Sequence, residues 1–132
     1  MNDINAVIGL YNFKNIEEVL AKHRQNGYFL DEALKDISGI TRLVKSESAD
    51  SAYWMYTLRV QDREAFTKKL ASAGIAASQV HGRNDKHACL SKYRIPLPGT
   101  DELMSDMISI PCGWWVSDED RQYIVDCIKE GW

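Results

Sequence analysis

The residue types best suited to chemistry gather between His81 and Cys89. His81, His87 and Cys89 are all zinc-ligand types. They show neither Cys-x-x-Cys nor His-x-x-x-His spacing, and a fourth ligand would have to come from far away, so no metal site is expected. His87 near Cys89, with Asp85 to orient the imidazole, has the makings of a nucleophile and its base. Members of such pairs usually come from separate elements. Cys89, between Ala88 and Leu90, reads instead as packing in a short helix, and no catalytic residue is assigned. The acidic groups Asp118, Glu119 and Asp120, like Asp101 and Glu102, stand at helix starts, where the macrodipole favours negative charge. Neither a P-loop nor Gly-x-Gly-x-x-Gly occurs. That leaves the run His81-Gly82-Arg83-Asn84-Asp85, which follows a predicted strand end, a usual place for binding residues. Arg83 can grip a phosphate or carboxylate through two parallel bonds, while His81 and Asn84 can read hydroxyls or carbonyls. His81, Arg83 and Asn84 are therefore the candidate substrate-binding residues. A plain solvated turn is the alternative reading.

Several elements must position that loop. Tyr53-Trp54-Met55-Tyr56-Thr57-Leu58-Arg59-Val60 is rich in aromatic and β-branched residues and predicts a strand. Trp54 and Tyr56 would share one face and Tyr53 and Met55 the other, which suits a sheet covered on both sides better than a base-stacking RNA surface. Asp62 predicts the cap of a helix through Leu70 that ends at Gly74, and residues 75–80 predict the next strand. A strand, helix and strand with short turns imply a right-handed crossover between parallel strands. Residues 40–44 form a further short strand candidate, and Lys45 to Ser51 a polar loop. Thr100 predicts the cap of a short helix to Met107, and residues 108–111 an edge strand. Ser117 with Asp120 three residues on predicts a capping-box start to the last helix.

The first third has apolar residues at Ile4, Ile8, Tyr11, Ile16, Val19, Leu20, Leu30, Leu34 and Ile37, mostly three or four apart, which predicts one long helix ended by Ser38-Gly39. Unbroken, it would run about 54 Å at about 1.5 Å per residue, against a diameter of roughly 36 Å for a compact chain of this length. Ile4, Ala6, Val7, Ile8, Leu10, Tyr11 and Phe13 point in nearly all directions, so burial against something outside the chain is expected. A bend at Gly27 with a fold-back is the alternative.

The 132 residues make one ordinary domain, divided into a linking helix over 1–38 and a small α/β domain over 39–132. The fold class is α/β (α+β), with a three- to four-stranded mixed sheet packed with helices. With 16 basic and 19 acidic residues the net charge is −3, so no overall nucleic-acid footprint exists. No apolar run reaches the roughly 20 residues of a membrane span, and the start lacks signal-peptide features. No nucleic-acid or membrane partner and a cytoplasmic location are expected. Three cysteines without paired spacing read as reduced thiols.

The order of segments resembles a known family. Met1-Asn2-Asp3-Ile4-Asn5-Ala6-Val7-Ile8-Gly9-Leu10 is similar to the opening of the long helix in DegT/DnrJ/StrS-type sugar aminotransferases, pyridoxal-phosphate enzymes of the aspartate-aminotransferase fold type. Tyr53 to Val60 followed by Asp62 to Phe66 resembles their small-domain strand and helix. Leu70 to Ala77, centred on Ala73-Gly74-Ile75, resembles their passage into the substrate loop, and Ser109-Ile110-Pro111 with Ser117 to Asp120 their closing pattern. The resemblance implies transfer of an amino group onto a keto sugar linked to a nucleotide. It places the catalytic lysine in a large N-terminal domain that precedes this sequence; neither Lys14 nor Lys22 has a matching context. It implies a C-terminal small domain, present as a fragment, split product or remnant and inactive alone. Pyridoxal phosphate is expected in the complete enzyme and not on this chain by itself. The first helix would link to the missing large domain, and the His81 to Asp85 loop would face the nucleotide sugar. The competing reading is a non-catalytic interaction module, a dimer through the first helix or a partner subunit. A third, a small independent enzyme using Cys89 and His87, requires a reactive Cys89.

Overall fold

The computed structural model describes residues 2–46 and 48–132. Met1, which opens the family-like first stretch, and Glu47, within the predicted polar loop, lie outside the described residues. β2 (Tyr56–Val60) is the centre of a three-stranded sheet ordered β1-β2-β3. Its alternation is clean: Tyr56, Leu58 and Val60 are buried, while Thr57 and Arg59 stay partly exposed. β1 (Ile40–Arg42) pairs antiparallel with it, Ile40 opposite Val60. β3 (Met107–Ile110) pairs antiparallel on the other side, Tyr56 opposite Ile110 and Leu58 opposite Ile108. β3 is an edge, as its position in the sequence predicted, yet all four of its residues are buried.

The α/β class is as expected, but the parallel crossover is not. α3 (Arg63–Ser72) does follow β2 and is capped by Asp62, whose Oδ1 accepts from the Ala65 N–H at 3.0 Å. After Gly74, however, the predicted strand 75–80 makes a single antiparallel bridge, Ser78 to Ser109. Ile75 is drawn back onto α3, its N–H donating to the Leu70 carbonyl at 2.9 Å, and Val80 is exposed. With one buried apolar residue at its start, that segment has too little to gain from a full ladder.

The predicted long helix is two helices, α1 (Asp3–Phe13) and α2 (Ile16–Ala33). The break falls at Lys14-Asn15, where the Lys14 and Asn15 N–H groups reach back only three residues, to Tyr11 and Asn12. Gly27 causes no bend; it lies inside α2, buried. α1 has no buried residue, and Ile4, Leu10 and Phe13 are each 71% exposed. α2 turns Leu30 inward, and Leu34 just past it joins the core with Leu58, Phe66, Leu70, Ile108 and Ile128. Leu58, Leu30 and Val125 are fully buried.

α4 (Pro98–Asp106) begins two residues before the predicted Thr100 cap, because Pro98 suits the first turn, where no N–H is needed. α5 (Asp118–Lys129) starts with the predicted capping box: Ser117 Oγ accepts from the Asp120 N–H, and Asp120 returns the bond to the Ser117 N–H. Trp132 lies edge-on to Phe66 at 4.9 Å and donates to the Gln61 carbonyl at 2.7 Å.

Asp31 of α2 ties helix to sheet. Its carboxylate accepts from Tyr53 Oη at 2.6 Å and from Tyr56 Oη at 2.8 Å, and pairs with Lys45. Burial, then the bond to Asp31, pushes the Tyr56 hydroxyl above its usual range. Burial pushes the Cys112 thiol up to about 12. Both protons are held more tightly folded than unfolded, where phenol and thiol titrate near about 10 and 8.5. Their contribution is therefore whole below those values and is lost progressively as pH rises from them toward the raised folded values. The urea midpoint is expected to fall between about pH 9 and 11, and less steeply in a Tyr56→Phe, Cys112→Ala variant. Equal slopes would contradict this assignment.

Candidate functional site

The loop after residue 80 is fixed by arginines. Arg83 forms a two-bond pair with Asp85, Nε to Oδ1 and Nη2 to Oδ2 at 2.8 Å each, and its Nη1 pairs with Asp101 of α4. Asp85 is thereby held below the usual carboxylate range. Arg94 adds bonds to the Asp85 and Lys86 carbonyls at 2.7 and 2.9 Å. Of the three sequence candidates, Arg83 is an internal clasp whose charge is matched by two carboxylates. Three of its five donors are engaged in those pairs. Asn84 is exposed at the start of a 3₁₀ turn, Asn84–Lys86, and His81 is exposed just before it. His81 and Asn84 are thus exposed on either side of the partly buried Arg83 in the sequence.

Sequence reasoning passed over the neighbour of His81. The Trp54 ring centroid lies 6.0 Å from that of His81, the planes at 46°. Trp54 is not on the sheet, because β2 begins at Tyr56. One residue earlier, Tyr53 has φ of 45°. A bulky side chain in that left-handed region costs on the order of 1–3 kcal/mol and must be held there. The Tyr53 N–H donates to Ser51 Oγ at 3.1 Å, and its carbonyl accepts from His23 Nδ1 at 2.9 Å. Burial lowers the His23 pKa. The Tyr53 ring stacks with Tyr56 at 6.3 Å and meets Tyr28 edge-on at 5.5 Å. An unbroken aromatic run gave no signal for this turn; the polar residues Ser48 to Ser51 before it were the available hint.

Cys89 is exposed, against the expected packing, while Cys112 and Cys127 are buried, and all three are free thiols. Among the described residues no hydrogen bond joins His87 to Cys89. Native protein is expected to react with one equivalent of a thiol reagent and denatured protein with three, by mass. A second rapid native equivalent would contradict the burial of Cys112 or Cys127. No group of three metal-ligating side chains is gathered among the described residues, and no described helix is long and apolar enough to cross a membrane.

A second concavity, an open groove of about 1120 Å³, runs along the junction of α1 and α2, lined by Asn15, Ile16, Val19, Lys22 and Trp114.

Over its whole length the chain superposes on sugar aminotransferase CalS13 from Micromonospora echinospora, with a TM-score of 0.96 and 42% identity, covering 36% of that chain. The values for AtS13 from Actinomadura melliaura are 0.96 and 40%, again over all of this chain and over 35% of that one. The erythromycin biosynthesis sensory transduction protein EryC1 of Saccharopolyspora erythraea is 22% identical over 136 residues, 99% of this chain and 37% of its own. The DegT/DnrJ/EryC1/StrS aminotransferase family model matches residues 1–129. The chain belongs to that family and spans about a third of the length of these relatives.

The family depends on pyridoxal phosphate. That cofactor requires an enclosed lysine amine with a lowered pKa and free donors for its phosphate. Here Lys22 is paired with Asp118 at 2.6 Å, Lys45 with Asp31 and Lys69 with Glu130 at 2.7 Å. Glu64 holds Lys68, and Glu130 holds Lys69, above the usual lysine range, opposite to what is needed. Arg83 is likewise engaged. These residues do not fit the cofactor by themselves.

Proposed function

We propose that the chain is the C-terminal small-domain portion of a pyridoxal-phosphate-dependent nucleotide-sugar aminotransferase of the cytoplasm. Residues 1–38 would carry the link to a large domain, on the same polypeptide or separately encoded, which supplies the catalytic lysine and holds the cofactor. Residues 39–132 would close the substrate site with His81, Arg83 and Asn84 at its mouth. The observation that carries this reading is α1: an apolar helix with none of its side chains buried, in a chain spanning a third of its relatives' length. In the complete enzyme this part binds and orients; Arg83 fixes the loop through Asp85 and Asp101, so that His81 and Asn84 can donate to sugar or phosphate oxygens. A dimer through α1 is the second reading, favoured by the same exposed face.

The test is co-expression with the large domain of a CalS13-like enzyme, followed by hydrogen exchange. Amides 3–13 are expected to become protected in the complex and to exchange freely in the separate chain. A stable homodimer that protects α1 unaided would favour the second reading. A chain that neither binds a large domain nor dimerises would defeat both.

A further inference from the structure

We propose that Trp54 is a stacking residue for a ring of the nucleotide sugar, presented beside His81 by the locked, left-handed Tyr53. The inference rests on the reading above and adds to it the residue that grips the ligand's flat or apolar face. Continuing β2 backwards would have set Trp54 into the ladder. Instead the chain turns at Tyr53, and Trp54 emerges 66% exposed while Tyr53 and Tyr56 on either side are buried. The unfavourable turn is maintained by bonds to Ser51, His23 and Asp31 and by the close approach of the Tyr53 ring to Gly27. So many restraints on one strained residue, whose effect is to hold an indole in solvent, are not needed to bury the core. The indole and imidazole, 6.0 Å apart and tilted by 46°, form an open corner. One wall is a large π face, and the other is the His81 imidazole with its ring nitrogens. Such a corner suits a ring with one face apolar and its rim hydroxylated or carbonyl-bearing. Both the sugar and the nucleobase have that chemistry.

The experiment uses the whole 132-residue chain, labelled with ¹⁵N, and titrates it with UDP-glucose, dTDP-glucose, uridine and methyl glucoside. The Trp54 indole N–H is assigned by Trp54→Phe. Either nucleotide sugar is expected to move that signal together with the His81 to Asn84 amides, saturably in the millimolar range. Trp54→Ala is expected to weaken binding roughly five-fold or more, and Trp54→Phe much less. Because the side chain is largely in solvent, core signals such as Leu30 and Leu58 should be unchanged in both variants. Movement of the indole with uridine alone assigns the base, and with the glucoside alone the sugar. If the loop amides respond and the indole does not, the stacking role is wrong and the substrate-loop reading survives. If neither responds, both are wrong.

Discussion

Replacing Asn26 by alanine is expected to destabilise the protein by about 2–4 kcal/mol, the sum of leaving buried polar partners unmet. Asn26 is fully buried in α2. Its Nδ2 donates to the Gly113 carbonyl at 3.0 Å and to the Val116 carbonyl at 3.1 Å, and its Oδ1 accepts from Arg121 Nη1 at 3.1 Å. One side chain thus joins α2, the turn before α5, and α5 itself. Alanine would leave the Val116 carbonyl and a guanidinium N–H without partners, while the Gly113 carbonyl keeps its bond from the Val116 N–H at 3.0 Å, and Arg121 Nε is already buried without one. The better helix propensity of alanine returns only about 0.6 kcal/mol. A fall of roughly 10 °C in Tm should accompany the loss. Asn26→Asp separates the contributions: it keeps the acceptor for Arg121 but sets a carboxylate against two carbonyls, so it should be destabilised at pH 7 and partly recover on protonation. A urea-derived change below about 1 kcal/mol for Asn26→Ala would show that water replaces these bonds.

Gly27→Ala is the second large effect, because it opposes helix propensity. A Cβ there would stand 2.3 Å from Cγ and Cδ1 of Tyr53. Tyr53 has no room to retreat, with its hydroxyl on Asp31 and its ring on Tyr56. Overpacking of this kind costs about 1–3 kcal/mol, beyond the roughly 1 kcal/mol by which alanine favours a helix. The comparison is Gly9→Ala in α1, where a Cβ meets nothing within 4 Å and more helix is expected with no loss of Tm. Lower Tm for Gly27→Ala together with a shifted Trp54 indole signal would tie α2 packing to the candidate site. An unchanged or higher Tm would contradict it.

Gly27 also shows how far the sequence could be read. Within the first helix a glycine looked like a weak point, and the partner that explains it, Tyr53, is 26 residues away. The true break at Lys14-Asn15 has no proline or glycine, and asparagine is only a modestly poor helix former, a signal too small to locate by periodicity. Where local chemistry dominates, the reading succeeded: the Asp62 cap, the Ser117–Asp120 box and the strand signal that ends at Val60 all depend on near neighbours. The order of β3 against β2 was illegible because it is set by pairing across about fifty residues. For the loop, the composition of His81 to Asp85 marked the right place. That Arg83 is neutralised by Asp101 depends on α4 folding back over it. Trp54 was concealed by an aromatic run that looked like continuous strand.

The break between α1 and α2 has a mechanical consequence. Asp3–Phe13 and Ile16–Ala33 meet at a turn closed by bonds spanning only three residues, and only the second of them is buried in the core, so a surface that receives the leading segment need not repack what lies behind it.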